Sequence, residues 1–177
     1  AIRCFHSATL AVRDASATLE LLTGGLGLST QAREGARTRL RFAGGAGVNG
    51  ALGQYLDVVE DPTLGRSRLG AGSVHHVALR ARDEGEHARV RDVLERRGLG
   101  VTGFVDRLYF KSIYFREPGG VLLEIATDGP GFGVDEPMDA LGQTLVLPAR
   151  FESKRALIER RLPAVTVPTV KEPGRSA

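Results

Sequence analysis

The chain has 177 residues, of which 42% are hydrophobic and 25% charged, the composition of a globular chain and not of a disordered one. No apolar run reaches the roughly 18 residues of a membrane helix, no charged-then-apolar leader opens the chain, and the single cysteine, Cys4, excludes an internal disulfide, so a cytoplasmic protein without a membrane partner is expected. The net charge is +3, and 21 of the 24 basic residues are Arg interleaved with Asp and Glu, which gives no pointer to nucleic acid.

An internal repeat organises the chain. Phe5-His-Ser-Ala-Thr-Leu-Ala-Val-Arg-Asp14 lies on Val74-His-His-Val-Ala-Leu-Arg-Ala-Arg-Asp83 with a shift of 69 residues. Each copy predicts a strand followed by a short helix. In the first copy Asp14 is the expected N-cap, Leu19, Leu22 and Leu26 form the apolar stripe, and Gly24-Gly25 stand near the end. Strands are then predicted over 38–42 and 54–59. In the second copy Asp83 is the expected N-cap, with Glu86 completing a capping-box pattern. Val90, Val93 and Leu94 recur at helical spacing, and Gly98 is the stop. Strands follow over 108–115 and 121–126, and the closing strands align Asp57 with Glu124.

The expected fold class is therefore α+β, with each repeat a strand, a helix and two or three further strands. The expected boundaries are a first module at 1–66, a second at 67–130, a C-terminal loop and helix at 131–163, and a flexible tail at 164–177. Glu152 to Arg161 carries the helix signal, and Pro163 ends it.

Strand alternation singles out one pair of residues. His76, Ala78 and Arg80 share one face, and Leu122, Glu124 and Ala126 share the matching face of the closing strand. The bulky aliphatic faces pack on the helix, so His76 and Glu124 look into the concavity of a curved sheet. A carboxylate among Val, Leu and Ile is costly to bury unless it is paired or binds a metal. An imidazole and a carboxylate are two thirds of the 2-His-1-carboxylate set that leaves open positions on non-haem Fe(II). The alternative is a structural His beside a Glu124 salt-bridged to Arg80. The first copy has Ser7 in the position of His76, so no second metal centre is expected around Asp57.

Other signals are weaker. Gly45-Ala-Gly-Val-Asn-Gly50 matches G-x-G-x-x-G, but a strand follows it where the dinucleotide fingerprint needs a helix, so it reads as a loop. Tyr114 shares a face with Phe110 and Ser112 and can donate a proton beside a metal. Arg107, Tyr109 and Lys111 read as largely solvent-facing, His87 as exposed among charges, and Cys4 as a small apolar residue.

Val74-His-His-Val77, Tyr114-Phe-Arg-Glu-Pro-Gly-Gly120 and Leu122-Leu-Glu-Ile-Ala-Thr-Asp128 resemble the vicinal oxygen chelate superfamily, which also contains glyoxalases and bleomycin-resistance proteins. The stretch from Asp106 to Gly120, with Asp128-Gly-Pro-Gly-Phe132 and Asp135-Glu-Pro137, resembles the C-terminal half of hydroquinone-type ring-cleaving dioxygenases. The resemblance runs from Ile2 to about Leu162. It implies two βαβββ modules and an extradiol-type, metal-binding oxidoreductase of aromatic degradation that acts on a hydroquinone- or catechol-like diol and O2. It implies Fe(II), with Mn(II) as an alternative, on His76 and Glu124. It implies catalytic roles for His75 and Tyr114 and substrate binding by Arg107. A third ligand is implied from an N-terminal half. The opening Ala1 and the two-ligand site lead to the expectation that the chain is a C-terminal half, and a homo-oligomer is expected besides. A glyoxalase-like metal-dependent isomerase or transferase is the alternative within the fold. A non-catalytic small-molecule binder of the resistance type is the alternative outside enzymes.

Overall fold

The computed structural model describes residues 5–42, 53–65 and 70–163. Cys4, the glycine-rich Gly45–Gly50 segment and the expected tail at 164–177 lie outside the described residues. The chain divides into two compact units, Ala1–Gly129 and Pro130–Ala177.

Within the first unit, two four-stranded sheets repeat one plan. In the first, β1 (Ser7–Val12) leads to α1 (Ser16–Glu20), which continues into a π-helical turn at Leu21–Gly25. Strands β2 (Ser29–Glu34), β3 (Arg37–Arg41) and β4 (Tyr55–Glu60) follow, and the sheet order is β1-β4-β3-β2. In the second, β5 (Val77–Ala81), α2 (Glu84–Arg96), β6 (Val105–Asp106), β7 (Lys111–Arg116) and β8 (Leu122–Thr127) give the order β5-β8-β7-β6. The first and last strands of each module run parallel, and the other pairings are antiparallel. This is the α+β, βαβββ architecture expected from the repeat.

Why these residues take this form is visible in the burial. Leu79 and Ala81 on β5 alternate with exposed Ala78 and Arg80, and Ile113 and Phe115 are buried on β7. They join Leu10, Val12, Leu22, Leu40, Leu56, Val58, Leu94, Leu123 and Ile125 in one apolar cluster fed by both modules. Each fully buried Leu or Ile contributes roughly 1.5–3 kcal/mol relative to an exposed one.

The second helix starts as its sequence predicts. Asp83 accepts a hydrogen bond from the Glu86 backbone N–H at 2.7 Å, while the Glu86 carboxylate reaches back to the Arg82 N–H, one residue before the cap. Gly98 sits past its end at φ +76°, a conformation that suits glycine. The first helix departs from expectation. It begins after Ala15, and Asp14 instead accepts the Ser16 N–H at 2.8 Å. Its buried face is Thr18, Leu21 and Leu22, with Leu19 and Leu26 only partly buried, because the π turn rotates the stripe.

The third further strand of each module has no range predicted from the sequence. β2 is polar and exposed along its whole length, so it shows no alternation to read. β6 has only two residues. The strand expected at 108–115 is shorter, because Arg107 to Phe110 form a turn. In it the Arg107 N–H donates to the Phe110 carbonyl at 2.9 Å, and Leu108 takes φ +70°.

The modules meet at the Glu117-Pro-Gly-Gly120 turn. Buried Glu117 accepts the Thr18 hydroxyl of the first module at 2.5 Å and the N–H groups of Gly119 and Val121 at 2.8 and 2.7 Å. A Cβ on Gly119 would stand 2.4 Å from Val12 Cγ1. Only glycine permits this approach.

The second unit is described by itself. It holds 3₁₀ turns at Phe132–Val134 and Ala149–Lys154 and the helix α3 (Arg155–Arg161). The expected helical start at Glu152 is thus a 3₁₀ turn. Arg155 ties the segment together by bonding Glu152 at 2.6 Å and the Leu145 carbonyl at 2.9 Å.

Candidate functional site

The site forms on the open face of the second sheet, around one buried carboxylate. β8 places Glu124 between β5 and β7, paired with Ala78 on one side and Tyr114 on the other. Its neighbours Leu123 and Ile125 point into the core, which turns Glu124 to the opposite face, where it is nevertheless only 3% exposed.

The groups that cover it are polar. His76 Nε2 lies 2.7 Å from Glu124 Oε2. The Tyr114 hydroxyl donates to Oε1 at 2.8 Å, and the Ser112 hydroxyl donates to the same oxygen. Ser112 and Tyr114 are two apart on β7, so the strand period presents both to one face. The Tyr114 ring stands edge-on to the His76 ring, with centroids 5.6 Å apart.

His75 and Arg107 complete the cluster. His75 Nδ1 lies 2.9 Å from His76 Nδ1. Alternation alone placed His75 on the aliphatic side of the strand. Both histidines instead precede the first rung of β5, so strand parity does not govern His75, which is exposed and turns toward its neighbour. Arg107 Nη2 donates to the Tyr114 hydroxyl at 3.3 Å, with the guanidinium 5.8 Å from the ring centroid. That hydrogen bond, with the nearby phenol, raises the guanidinium pKa above its ordinary value and keeps it charged. The structure thus brings together all five residues singled out from the sequence: His75, His76, Arg107, Tyr114 and Glu124.

The alternative partner for Glu124 is excluded. Arg80 is engaged by Asp128 through both Nε and Nη2. Among the described residues, no Lys or Arg forms an ion pair with Glu124. A buried carboxylate without a cation is the chemistry of a metal donor or of a proton-sharing pair. An imidazole nitrogen and a carboxylate oxygen, as on His76 and Glu124, are donor types that a divalent metal takes. Among the described residues, however, no group of three His, Cys, Asp or Glu forms that could hold a metal by itself.

Sequence reasoning missed two residues. Ser112 has no role in the sequence reading beyond the face it shares with Tyr114, and that two-residue offset is the signal that points to it. His87 reads as exposed but is fully buried. It heads the inner stripe of α2, since 87, 90 and 94 follow helical spacing. Its Nε2 bonds the Ile125 carbonyl at 3.0 Å, its ring lies 5.2 Å from that of Phe104, and its Nδ1 has no partner. Burial pushes its pKa below the ordinary 6.5.

The equivalent rung of the first module holds a different set. Asp57 on β4 pairs with Thr9 and Arg39 across the ladder, as Glu124 pairs with Ala78 and Tyr114. Asp57 is 1% exposed and takes Arg37 Nη1 at 2.8 Å and Arg39 Nε and Nη2 at 2.8 and 2.9 Å. The Arg39 hydrogen bonds hold its carboxyl below the usual 3.8. Ser7 and His6 stand where His76 and His75 stand in the second module.

The comparisons agree with this architecture. The sequence model of the Glyoxalase/Bleomycin resistance protein/Dioxygenase superfamily matches residues 5–125. The chain is 46% identical over 156 residues to the protein named "Putative ring-cleaving dioxygenase MhqA" of Bacillus subtilis (strain 168), covering 86% of this chain and 48% of that protein. It is 37% identical over 155 residues to the chlorohydroquinone/hydroquinone 1,2-dioxygenase of Sphingobium indicum, covering 86% of this chain and 46% of that one. A crystal structure of a "putative dioxygenase" from Bacillus subtilis superposes with a TM-score of 0.81 at 39% identity, over 92% of this chain and 50% of that chain. The chain spans about half the length of the curated relatives it matches.

Proposed function

The chain belongs to the Glyoxalase/Bleomycin resistance protein/Dioxygenase superfamily, and on that premise we propose that it supplies two of the three metal ligands of an extradiol-type dioxygenase for hydroquinone-like rings. The observation that carries the reading is the buried Glu124 carboxylate, met by His76, Tyr114 and Ser112 and by no guanidinium. The names of the relatives, ring-cleaving and hydroquinone dioxygenases, support the reaction class. The third ligand comes from polypeptide beyond these 177 residues, in keeping with a match to half of each relative.

His76 Nε2 and Glu124 Oε2 would hold the metal, Fe(II) or alternatively Mn(II). Bound there, such an ion supplies Lewis acidity and carries electron density between an aromatic diol and dioxygen, both held in place by the site. The remaining steps belong to the chain's own side chains. For His76 Nε2 to carry a free lone pair, its proton sits on Nδ1 and is donated to His75 Nδ1, 2.9 Å away. The His75 proton is then on Nε2, free to pass to or from a substrate oxygen. The Tyr114 hydroxyl stands beside Glu124 and Arg107 and orients the second oxygen of the diol. Arg107, held protonated, stabilises negative charge as the ring opens.

The test is iron content and oxygen uptake with hydroquinone in the Fe(II)-loaded polypeptide that carries these 177 residues together with the third ligand. His76→Ala and Glu124→Ala should each abolish both signals. Iron loading that survives both substitutions refutes the assignment.

A further inference from the structure

Glu124 has two carboxylate oxygens, and the structure treats them unequally. Oε2 faces His76 Nε2 at 2.7 Å. Oε1 accepts two hydrogen bonds, one from the Tyr114 hydroxyl at 2.8 Å and one from the Ser112 hydroxyl. Ser112 is wholly buried, and its side-chain oxygen has no proton other than the one it gives to Oε1. Tyr114 also accepts a hydrogen bond from Arg107, which strengthens it as a donor.

We propose that Ser112 is a positioning residue that, with Tyr114, saturates Oε1 and so restricts Glu124 to one-oxygen binding of a metal through Oε2. The proposal rests on the metal-site reading above and deepens it. A carboxylate free to rotate can close both oxygens on a divalent ion and use a coordination position that a substrate needs. Two donors on one oxygen oppose that rotation. The first module shows what the rung becomes without such donors. The residue two before the one opposite the carboxylate is Ser112 in the second module and Arg37 in the first, and there Asp57 has both oxygens taken by guanidinium groups.

The experiment uses the longer polypeptide that carries these 177 residues together with the third ligand, Mn(II) alone as probe, and free Mn(II) followed by electron paramagnetic resonance. The second readout is infrared difference spectroscopy of the glutamate carboxylate stretches, whose splitting is wide for one-oxygen binding and narrow for two-oxygen binding. The wild-type chain should bind Mn(II) with a wide splitting. Ser112→Ala should weaken binding by about tenfold to a hundredfold, as loss of an outer-shell partner does, and narrow the splitting. Ser112→Thr, which keeps the hydroxyl, should restore the wide splitting, and thermal melting checks that each variant is folded. If Glu124→Gln abolishes Mn(II) binding while Ser112→Ala leaves affinity and splitting unchanged, the positioning role is overturned and the metal site stands. If Mn(II) binds equally in His76→Ala and Glu124→Gln, or not at all in the wild type, the metal site falls and the positioning role falls with it.

Discussion

Asp57 and Glu124 occupy the same rung of two sheets built to one plan, yet their surroundings give them opposite chemistry. Asp57 is locked by Arg37 and Arg39, while Glu124 is covered by His76, Tyr114 and Ser112. The backbone delivers a buried carboxylate in both. What differs is a small number of side chains on the neighbouring strands. A carboxylate bound by two cations is a closed structural element. One held by an imidazole and two hydroxyls, with no guanidinium, keeps donor capacity for a ligand. The repeat therefore separates what the fold supplies, a placed acid, from what the site supplies, an unneutralised one.

The largest effect should come from writing the first module's pattern into the second. Tyr114→Arg puts a guanidinium where Arg39 stands opposite Asp57. Mn(II) affinity of the polypeptide that also carries the third ligand should fall by more than about a hundredfold, read by electron paramagnetic resonance, with the circular dichroism of the fold retained. Undiminished affinity would break the comparison, because neutralisation would not then be what distinguishes the two rungs.

The next effect concerns the contact between the modules. Gly119→Ala forces a methyl onto Val12 and the Glu117 carboxylate and should cost about 1–3 kcal/mol of stability. A lower urea midpoint with an unchanged slope checks it. An unaltered midpoint means that the modules tolerate separation at this point.

Asp57→Ala should cost somewhat less, about 1–2 kcal/mol at pH 7, because Arg37 and Arg39 are 46% and 36% exposed and regain water when the carboxylate is lost. The sign with pH follows from the lowered pKa. The carboxylate contributes stability above its ordinary 3.8, and that contribution is lost as pH falls through the lower folded-state value. Urea melts at pH 7 and pH 3 should therefore show the gap between wild type and Asp57→Ala closing at the acid end.

The smallest effect lies on the inner faces of the helices. With the 69-residue shift, His87 corresponds to Thr18, and both are fully buried. Thr18 reaches the other module, whereas His87 bonds its own sheet. Because burial lowers the His87 pKa, the folded state favours its neutral form. Wild-type stability should thus decline as pH falls below about 6.5, while His87→Leu should show a flatter dependence in the same melts. Parallel curves would mean that His87 binds its proton equally in the folded and unfolded chain, so that burial does not depress its pKa.

Much of this was legible in the sequence because the repeat tests every assignment twice. Strand period gave the face of Glu124, and its extension one residue before β5 pointed His76 the same way, while the family resemblance gave His75, Arg107 and Tyr114. The α2 cap at Asp83 was readable from local spacing. What escaped had physical reasons. β2 is exposed on both faces and carries no pattern, and the π turn after α1 shifts a stripe that helical spacing would place elsewhere. His75 stands before its strand's first rung, where parity has no hold. His87 looked exposed because its sequence neighbours are charged, although its three-dimensional neighbours are Ile125 and Phe104. The arginines at 37 and 39 were in plain view, but their convergence on Asp57 depends on a pairing register that no local signal states.

The Glu117–Thr18 contact limits how this molecule can be taken apart. The turn that starts β8, and so sets where Glu124 falls, is anchored by a hydroxyl from the other module. The second module carries the whole Glu124 cluster yet borrows its alignment from the first. Anyone transplanting the cluster into another scaffold would need to move both modules together, or rebuild a donor for Glu117 at the junction. The tandem pair is the smallest portable piece.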